Sequence, residues 1–517
     1  MYGRFCNDPM NTTHTPSQAE SAVSGLLRHA LAPEAQHGIF LPWIQAGFAA
    51  SLPLLTQVNQ AHLAALDAAG LIDRGHAAAL AREIAALDTA GADAFALDGA
   101  LEDVYFNYEA ELIRRVGPEL GGRLHLARSR NDLQSTLDRM RARDVAVTLL
   151  TETLRLRRAL LARADGFLDC VMPGYTHMQH AQPITYGFYL LGIEQSLQRD
   201  TRRLLAALQE INHCPLGAGA LAGNPFAIDR KLTAVLLGFD APVPHTLDAV
   251  ASKDALLELL IAATFVATTF GRLAQDFYFM STFEVGTLAL PDSLAITSSM
   301  MPQKKNQAVL EFLKGRQAHL LGAAMTGFAA FRAAPFTHVL DSNADGLQWL
   351  WAALDGVAGL LPVVRLVVEG AEPQRARMAE LAAANFATAT DFADLLVHRE
   401  KLPFRDAHHV TGRVVRRAID QGIAPAAITP DLVAQASQEI LGHPLHLDAA
   451  ALRDAFDPVQ AVARRVGCGG PSPTDARQIL DQSRVRLADD DAALLRIGTR
   501  LQSASRSLAD AVAQLHR

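Results

Sequence analysis

Apolar residues recur every three to four positions over long runs, and this periodicity constrains the chain before anything else does. The stretch "DALLELLIAATFVATTFGRLAQDFYFM" at 254–280 keeps the spacing throughout, as do "AAALAREIAAL" and "VTLLTETLRLRRALLARADGFL". Strict alternation, the mark of a half-buried strand, is scarce. Alanine and leucine, which lose little on entering a helix, dominate these runs. The fold class expected is therefore all-α. At 517 residues the chain exceeds what one hydrophobic core serves, so two or three domains are expected. Helical spacing stops at Gly121-Gly122 and at 172–183, 215–225, 288–306, 332–346, 369–373 and 467–473, where glycine, proline and polar residues gather. These breaks suggest an N-terminal helical domain (1–123), a central long-helix bundle (124–369) and a C-terminal helical domain (370–517).

Charge and cysteine usage exclude several classes of function. A formal net charge of -7 gives no pull toward nucleic acid or anionic lipid, although a local basic cleft can still hold a small anion. Cys6, Cys170, Cys214 and Cys468 lie far apart, without the spacing of a disulfide framework or a zinc site. That usage suits a reducing compartment, and the expectation is a cytoplasmic protein with no metal. The first twenty residues hold no apolar signal core. The greasiest run, Leu256 to Phe270, contains Glu258 and follows Lys253 and Asp254, so no membrane span is expected.

Three of the breaks carry chemistry. In "GGRLHLARSRNDLQST", Ser129, Arg130 and Asn131 set a hydroxyl, a planar guanidinium and an amide side by side. Such a trio suits a carboxylate, which arginine grips with two parallel donors, although read alone it is most often a helix cap on a solvated surface. In "MPGYTHMQHAQPITYG", Thr176, His177, Gln179, His180 and Gln182 crowd between two prolines. A histidine there can move a proton near neutral pH, or the segment is a polar turn whose histidine satisfies backbone groups; His180 fits the second reading. In "TSSMMPQKKNQAVLEFLKGR", Ser298, Ser299, Lys304 and Asn306 precede a helix together with Met300, Met301 and Pro302, which have little reason to sit in a plain solvated loop. A loop of this composition gathers hydroxyl, ammonium and amide donors where negative charge develops, as an oxyanion hole does.

"SSMMPQKKN" resembles the signature loop of the fumarase/aspartase superfamily. The chain as a whole is similar to argininosuccinate lyases, through "GRF" at Gly3, "EDV" at Glu102, "HLARSRND", "MPGYTHMQHAQP", "PLGAGALAGNPF", "LPFRDAHHVTG" and "GGPSP" at Gly469. The resemblance implies a three-domain fold whose central bundles assemble into a 20-helix tetramer core. It implies reversible elimination of an amine from an N-substituted aspartate to give fumarate, without cofactor or metal. Ser298 is then the general base on a closing loop, and Ser299, Lys304 and Asn306 grip the succinyl carboxylates. Ser129, Arg130, Asn131 and Thr176 hold the same moiety, and His177 orients or relays a proton. The three motifs would come from three subunits of a homotetramer, whose partners are a small succinyl-amine substrate and fumarate, with no nucleic acid or membrane.

Departures from the family pattern concern the amine. Where argininosuccinate lyases carry "YNKDLQEDK", whose Tyr, Gln and second Lys grip the arginine arm, this chain has "FTHVLDSNA". Aligned on Leu340, those positions become Phe336, Asp341 and Ala344, of which Asp341 stays among the substrate-binding candidates. Leu126 stands where the family has Thr, Ala251-Ser252-Lys253 where it has Ser-Asp-Arg, and Thr297 and Gln307 where it has Gly and Pro. The succinyl half is intact and the amine half rewritten, which points away from arginine and toward an amine such as an aminopolycarboxylate. The alternatives are argininosuccinate lyase proper and a crystallin-like structural protein, against which the intact polar set speaks.

Overall fold

The computed structural model describes residues 30–516; the Gly3 motif and Cys6 lie outside the described residues. The described chain is mainly α-helical, as its periodicity requires, and its strands are short and occur in two-stranded pairs. Two compact units divide it: Met1–Met140 with His213–Val250 and Leu501–Arg517, and Arg141–Asn212 with Ala251–Arg500.

In the first unit, α1 (Leu41–Ala68), α2 (Arg74–Ala90), α3 (Val104–Val116) and the start of α4 (Arg130–Asp165) enclose one core. Caps fix where helices begin: the Asp73 carboxylate accepts the N–H groups of Gly75 and His76, and Asp103 accepts that of Phe106. Ile44, Phe48, Leu55, Leu80, Ile84 and Leu112 are fully buried, each contributing about 1.5–3 kcal/mol.

The second unit is built on the rest of α4, with α5 (Tyr186–Ile211), α6 (Asp254–Met280), α7 (Ala308–Ala333), α8 (Gln348–Gly370), α9 (Phe404–Asp420) and the part of α10 (Pro473–Leu515) that precedes Leu501. Leu156, Leu190, Leu260, Phe270, Phe277 and Leu361 sit in its main core, and Phe392, Val410, Val414 and Val433 form a separate cluster around α9. Arg157 of α4 is wholly buried. It donates through Nε to Glu194 (2.8 Å) and through Nη1 to Thr201 (3.2 Å), both on α5, and through Nη1 to Asp490 of α10 (2.6 Å).

By length and composition, helical stretches 33–68, 254–280 and 340–370 suffice to cross a membrane. In α6, 67% of the most apolar window is buried inside the protein, so packing covers it. The α7 and α8 faces differ, because Phe312, Met325 and Trp349 remain 63%, 67% and 61% exposed. Between these two helices runs a groove of about 660 Å³, whose lining includes Arg316, Gly322, Ala323, Trp349 and Gly356.

Two antiparallel hairpins interrupt the helices of this unit. One joins β1 (Val171–Thr176) to β2 (Gln179–Thr185), and the other joins β3 (Ile296–Thr297) to β4 (Lys305–Asn306).

Candidate active site

The loop Ser298–Lys304 is the tip of the β3–β4 hairpin, held where Ile296 faces Asn306 and Thr297 faces Lys305. Inside the tip the chain folds back on Ser298. Its Oγ accepts the N–H groups of Met300 (3.3 Å) and Met301 (3.0 Å), and the Met301 carbonyl accepts the N–H of Lys304 (3.1 Å). Two amide dipoles aimed at one hydroxyl oxygen favour its anionic form. The base of the hairpin is anchored by Lys305, whose ammonium meets the Leu290 carbonyl and the Asp292 carboxylate (2.7 Å). Lys304 is exposed, with no partner for its ammonium among the described residues, Ser299 is exposed, and Met300 stands 81% exposed at the tip.

The segment 172–183 is a β-hairpin and not the polar turn that its composition suggests. Pro173 lies opposite Pro183, which puts both missing N–H donors at one step of the ladder, and a register shift follows between Pro173 and Tyr175. The two turn residues, His177 and Met178, both have left-handed backbones (φ 52° and 59°). That conformation normally falls to Asn-Gly, and costs on the order of 1 kcal/mol for each residue with a full side chain. It thrusts Thr176 and His177 into solvent at the tip. His180 does not satisfy backbone groups either. Its ring packs edge-on against Tyr175 (5.3 Å), its Nδ1 is buried without a partner, and burial lowers its pKa. Among the described residues no hydrogen bond or ion pair joins this tip to the Ser298–Asn306 segment.

The third motif opens α4 in the first unit. Ser129 Oγ accepts the N–H of Asn131 (3.3 Å), a capping contact, while the Asn131 amide donates to the Ala220 carbonyl (3.2 Å). Arg130 uses Nη1 for both Glu102 (3.0 Å) and Asp103 (2.9 Å), and its guanidinium lies 4.0 Å over the Phe106 ring. Burial raises the Asp103 carboxyl above its ordinary range, against the opposing pull of the Phe106 amide and Arg130. The "EDV" carboxylates of Glu102 and Asp103 are thus the partners of Arg130, and the sequence signal for them is a guanidinium at a helix start, where the dipole favours an anion. Asp132, the next residue after the trio, carries a carboxylate that is wholly buried. Asp341 sits exposed in the short helix Leu340–Asn343, and Phe336, in the preceding loop, is 64% exposed. Among the described residues no group of three His, Cys, Asp or Glu side chains is arranged to hold a metal ion.

Residues 51–322 match the family described as Lyase, and residues 386–463 match the argininosuccinate lyase C-terminal family. Argininosuccinate lyase 1 of Shouchella clausii is 32% identical over 493 residues, 95% of this chain and 99% of that protein. Argininosuccinate lyase of Methanothermobacter thermautotrophicus is 35% identical, over 83% of this chain and 91% of its own. The crystal structure of EDDS lyase in complex with formate superposes with a TM-score of 0.83 at 32% identity, covering 94% of this chain and 96% of the other. The 3-carboxy-cis,cis-muconate lactonizing enzyme from Pseudomonas putida, at 21% identity and a TM-score of 0.68, shares the fold. A family match over residues 51–322, with argininosuccinate lyases and EDDS lyase alike along nearly the whole chain, places the protein in the argininosuccinate lyase family of the fumarase/aspartase superfamily, as a carbon–nitrogen lyase that forms fumarate.

Proposed function

We propose that the chain reversibly eliminates an amine other than arginine from an N-substituted L-aspartate, with Ser298 as the base. The observation that carries the role of Ser298 is the pair of amide N–H groups on its Oγ. A hydroxyl is too weak an acid to serve as a base at neutral pH unless its anion is stabilised where it sits. The Ser298 oxygen takes the proton from the carbon beside the substrate carboxylate, and that carboxylate becomes a doubly charged aci form. Thr176, Ser299, Lys304 and Asn306, with Ser129, Arg130 and Asn131, supply the donors that offset this charge. The carbon–nitrogen electrons then leave with the amine, which gains a proton, and the double bond of fumarate closes. His177, held at a strained turn, orients the substrate or relays that proton.

The exposure of Thr176, His177, Ser299 and Lys304 within one chain supports a site completed by other copies. The apolar α7 and α8 faces and the groove between them supply an association surface, and a homotetramer is the assembly proposed. Cys170 and Cys214, both buried, and exposed Cys468 form no disulfide among the described residues, which suits a reducing cytoplasm.

Support for a non-arginine amine comes from Phe336, Asp341 and Ala344, which stand where the family grips the arginine arm. A structural relative named for EDDS, an aminopolycarboxylate, agrees with it. The second reading, argininosuccinate as substrate, is favoured by the names of the relatives that cover most of the chain. Fumarate release, followed by ultraviolet absorbance, from argininosuccinate and from ethylenediamine-disuccinate separates the two. Faster turnover of argininosuccinate would overturn the leading reading.

A further inference from the structure

The carboxylate of Asp132 is shared between two segments of the first unit. Its Oδ1 accepts the N–H of Ser129 (2.9 Å), and its Oδ2 accepts the N–H groups of Gly217 (2.8 Å) and Gly219 (2.9 Å). The loop on the far side cannot easily take another shape or sequence. Gly219 has φ +63°, and a Cβ there would stand 2.5 Å from the Gly223 carbonyl oxygen. A second tie runs beside the first, from the Asn131 amide to the Ala220 carbonyl. The side chain between the two segments is 0% exposed, so solvent does not replace any of these bonds.

We propose that Asp132 is a positioning residue: its carboxylate holds the Ser129–Asn131 clamp against the glycine loop and so sets how tightly the clamp grips a substrate carboxylate. This rests on reading Ser129–Asn131 as the clamp. The two oxygens are not equivalent, since one serves a single donor and the other serves two. A proton arriving on the carboxylate goes to Oδ1, where it displaces Ser129 alone, and the glycines stay bound. Burial lifts the Asp132 carboxyl to about 6, against the pull of the three amides and of Arg128. The charged groups that face it are Arg128, from the turn before α4, and Arg230, from the helix Arg230–Leu236. Acid therefore unhooks the clamp at Ser129 while the loop remains in place. Asp132→Asn imitates this state permanently, with its amide oxygen toward the two glycines and its NH2 group toward Ser129.

Fumarate is the probe, because every substrate of the proposed reaction shares its two carboxylates. Its dissociation constant is measured by calorimetry for wild type and Asp132→Asn between about pH 7.5 and about pH 5, alongside hydrogen exchange of the Ser129 amide. Expected in the variant is a roughly fivefold to tenfold weaker fumarate affinity, the loss of about one hydrogen bond, and no further weakening in acid. Wild type should weaken by a similar factor as pH falls through the titration, with Ser129 exchanging faster. Unchanged affinity in Asp132→Asn, or a variant that keeps the acid weakening, overturns the proposal. Should the variant fail to fold, the wild-type series decides: a Ser129 amide that stays protected in acid, after correction for intrinsic exchange, overturns it as well. Absence of any fumarate binding to wild type would instead sink the proposed reaction, and Ser129 exchange in the variant would still decide the tie.

Discussion

Replacing Ser298 by alanine tests the centre of the proposed chemistry. In the structure its oxygen receives two backbone N–H groups at 3.3 and 3.0 Å, without a charged side chain among its hydrogen-bond partners. A hydrogen bond to a charged group is worth about 1.5–3 kcal/mol and to a neutral one about 0.5–1.5 kcal/mol, so the pair favours the alkoxide over the hydroxyl by roughly 2–3 kcal/mol, equivalent to about two pH units. Alanine removes the proton acceptor and leaves the Met300 and Met301 amides without their side-chain partner. Turnover should fall by at least roughly a thousandfold, about 4 kcal/mol of barrier, with the Michaelis constant unchanged within about a factor of two. Single-turnover fumarate absorbance reads the chemical step directly. The parallel Ser299→Ala variant, which removes a binding hydroxyl, should move the Michaelis constant more than turnover. Turnover in Ser298→Ala equal to wild type would refute the reasoning, and an equal loss in both variants would assign the two serines the same binding role.

Arg130→Lys keeps a charge near Glu102 and Asp103 but cannot present parallel donors. The Michaelis constant for any succinyl substrate should rise roughly tenfold or more, and an unchanged value would give Arg130 a structural role. Asp341→Asn should raise the Michaelis constant for a cationic amine adduct by up to about fivefold, the worth of an exposed ion pair, and leave fumarate affinity unchanged; equal effects on both would remove Asp341 from the amine site. Mixing inactive Ser298→Ala and Thr176→Val proteins, then dissociating and reassociating them, should restore about a quarter of wild-type sites if the two residues reach one site from different subunits. Hybrids that remain inactive while refolded wild type recovers would mean that each chain carries its own complete site.

What the sequence made legible differs from residue to residue. The helices follow from spacing alone, because a buried stripe repeating every three to four residues has no other regular solution. The β1–β2 hairpin was hidden for a physical reason: Pro173 and Pro183 read as breaks, both faces carry polar residues, and the turn His177-Met178 lacks the glycine or asparagine that advertises a left-handed pair. Ser129, Arg130 and Asn131 were visible as chemistry, whereas Asp132 was not, since its partners Gly217 and Gly219 are backbone groups far along the chain. The same applies to Ser298, whose composition suggested an anion site but whose stabilising amides, those of Met300 and Met301, exist only once the loop has closed on itself.

Alanine- and leucine-rich helices can slide past one another by a turn with little loss of buried area, so smooth packing leaves their alignment weakly specified. Arg157 acts as a locating pin. A shift of about 5.4 Å, one helical turn, would pull its guanidinium away from Glu194 and Asp490 in surroundings where water cannot replace them. One of those partners is 333 residues away in sequence, so during synthesis α4 and α5 emerge long before α10. Until the last helix docks, Glu194 alone balances the Arg157 charge, and Nη1 lacks its Asp490 partner. The C-terminal helix thus supplies one of the contacts that fix the alignment of the bundle, and a nonsense codon upstream of Asp490 would leave a chain with every catalytic candidate present and this pin without one of its partners.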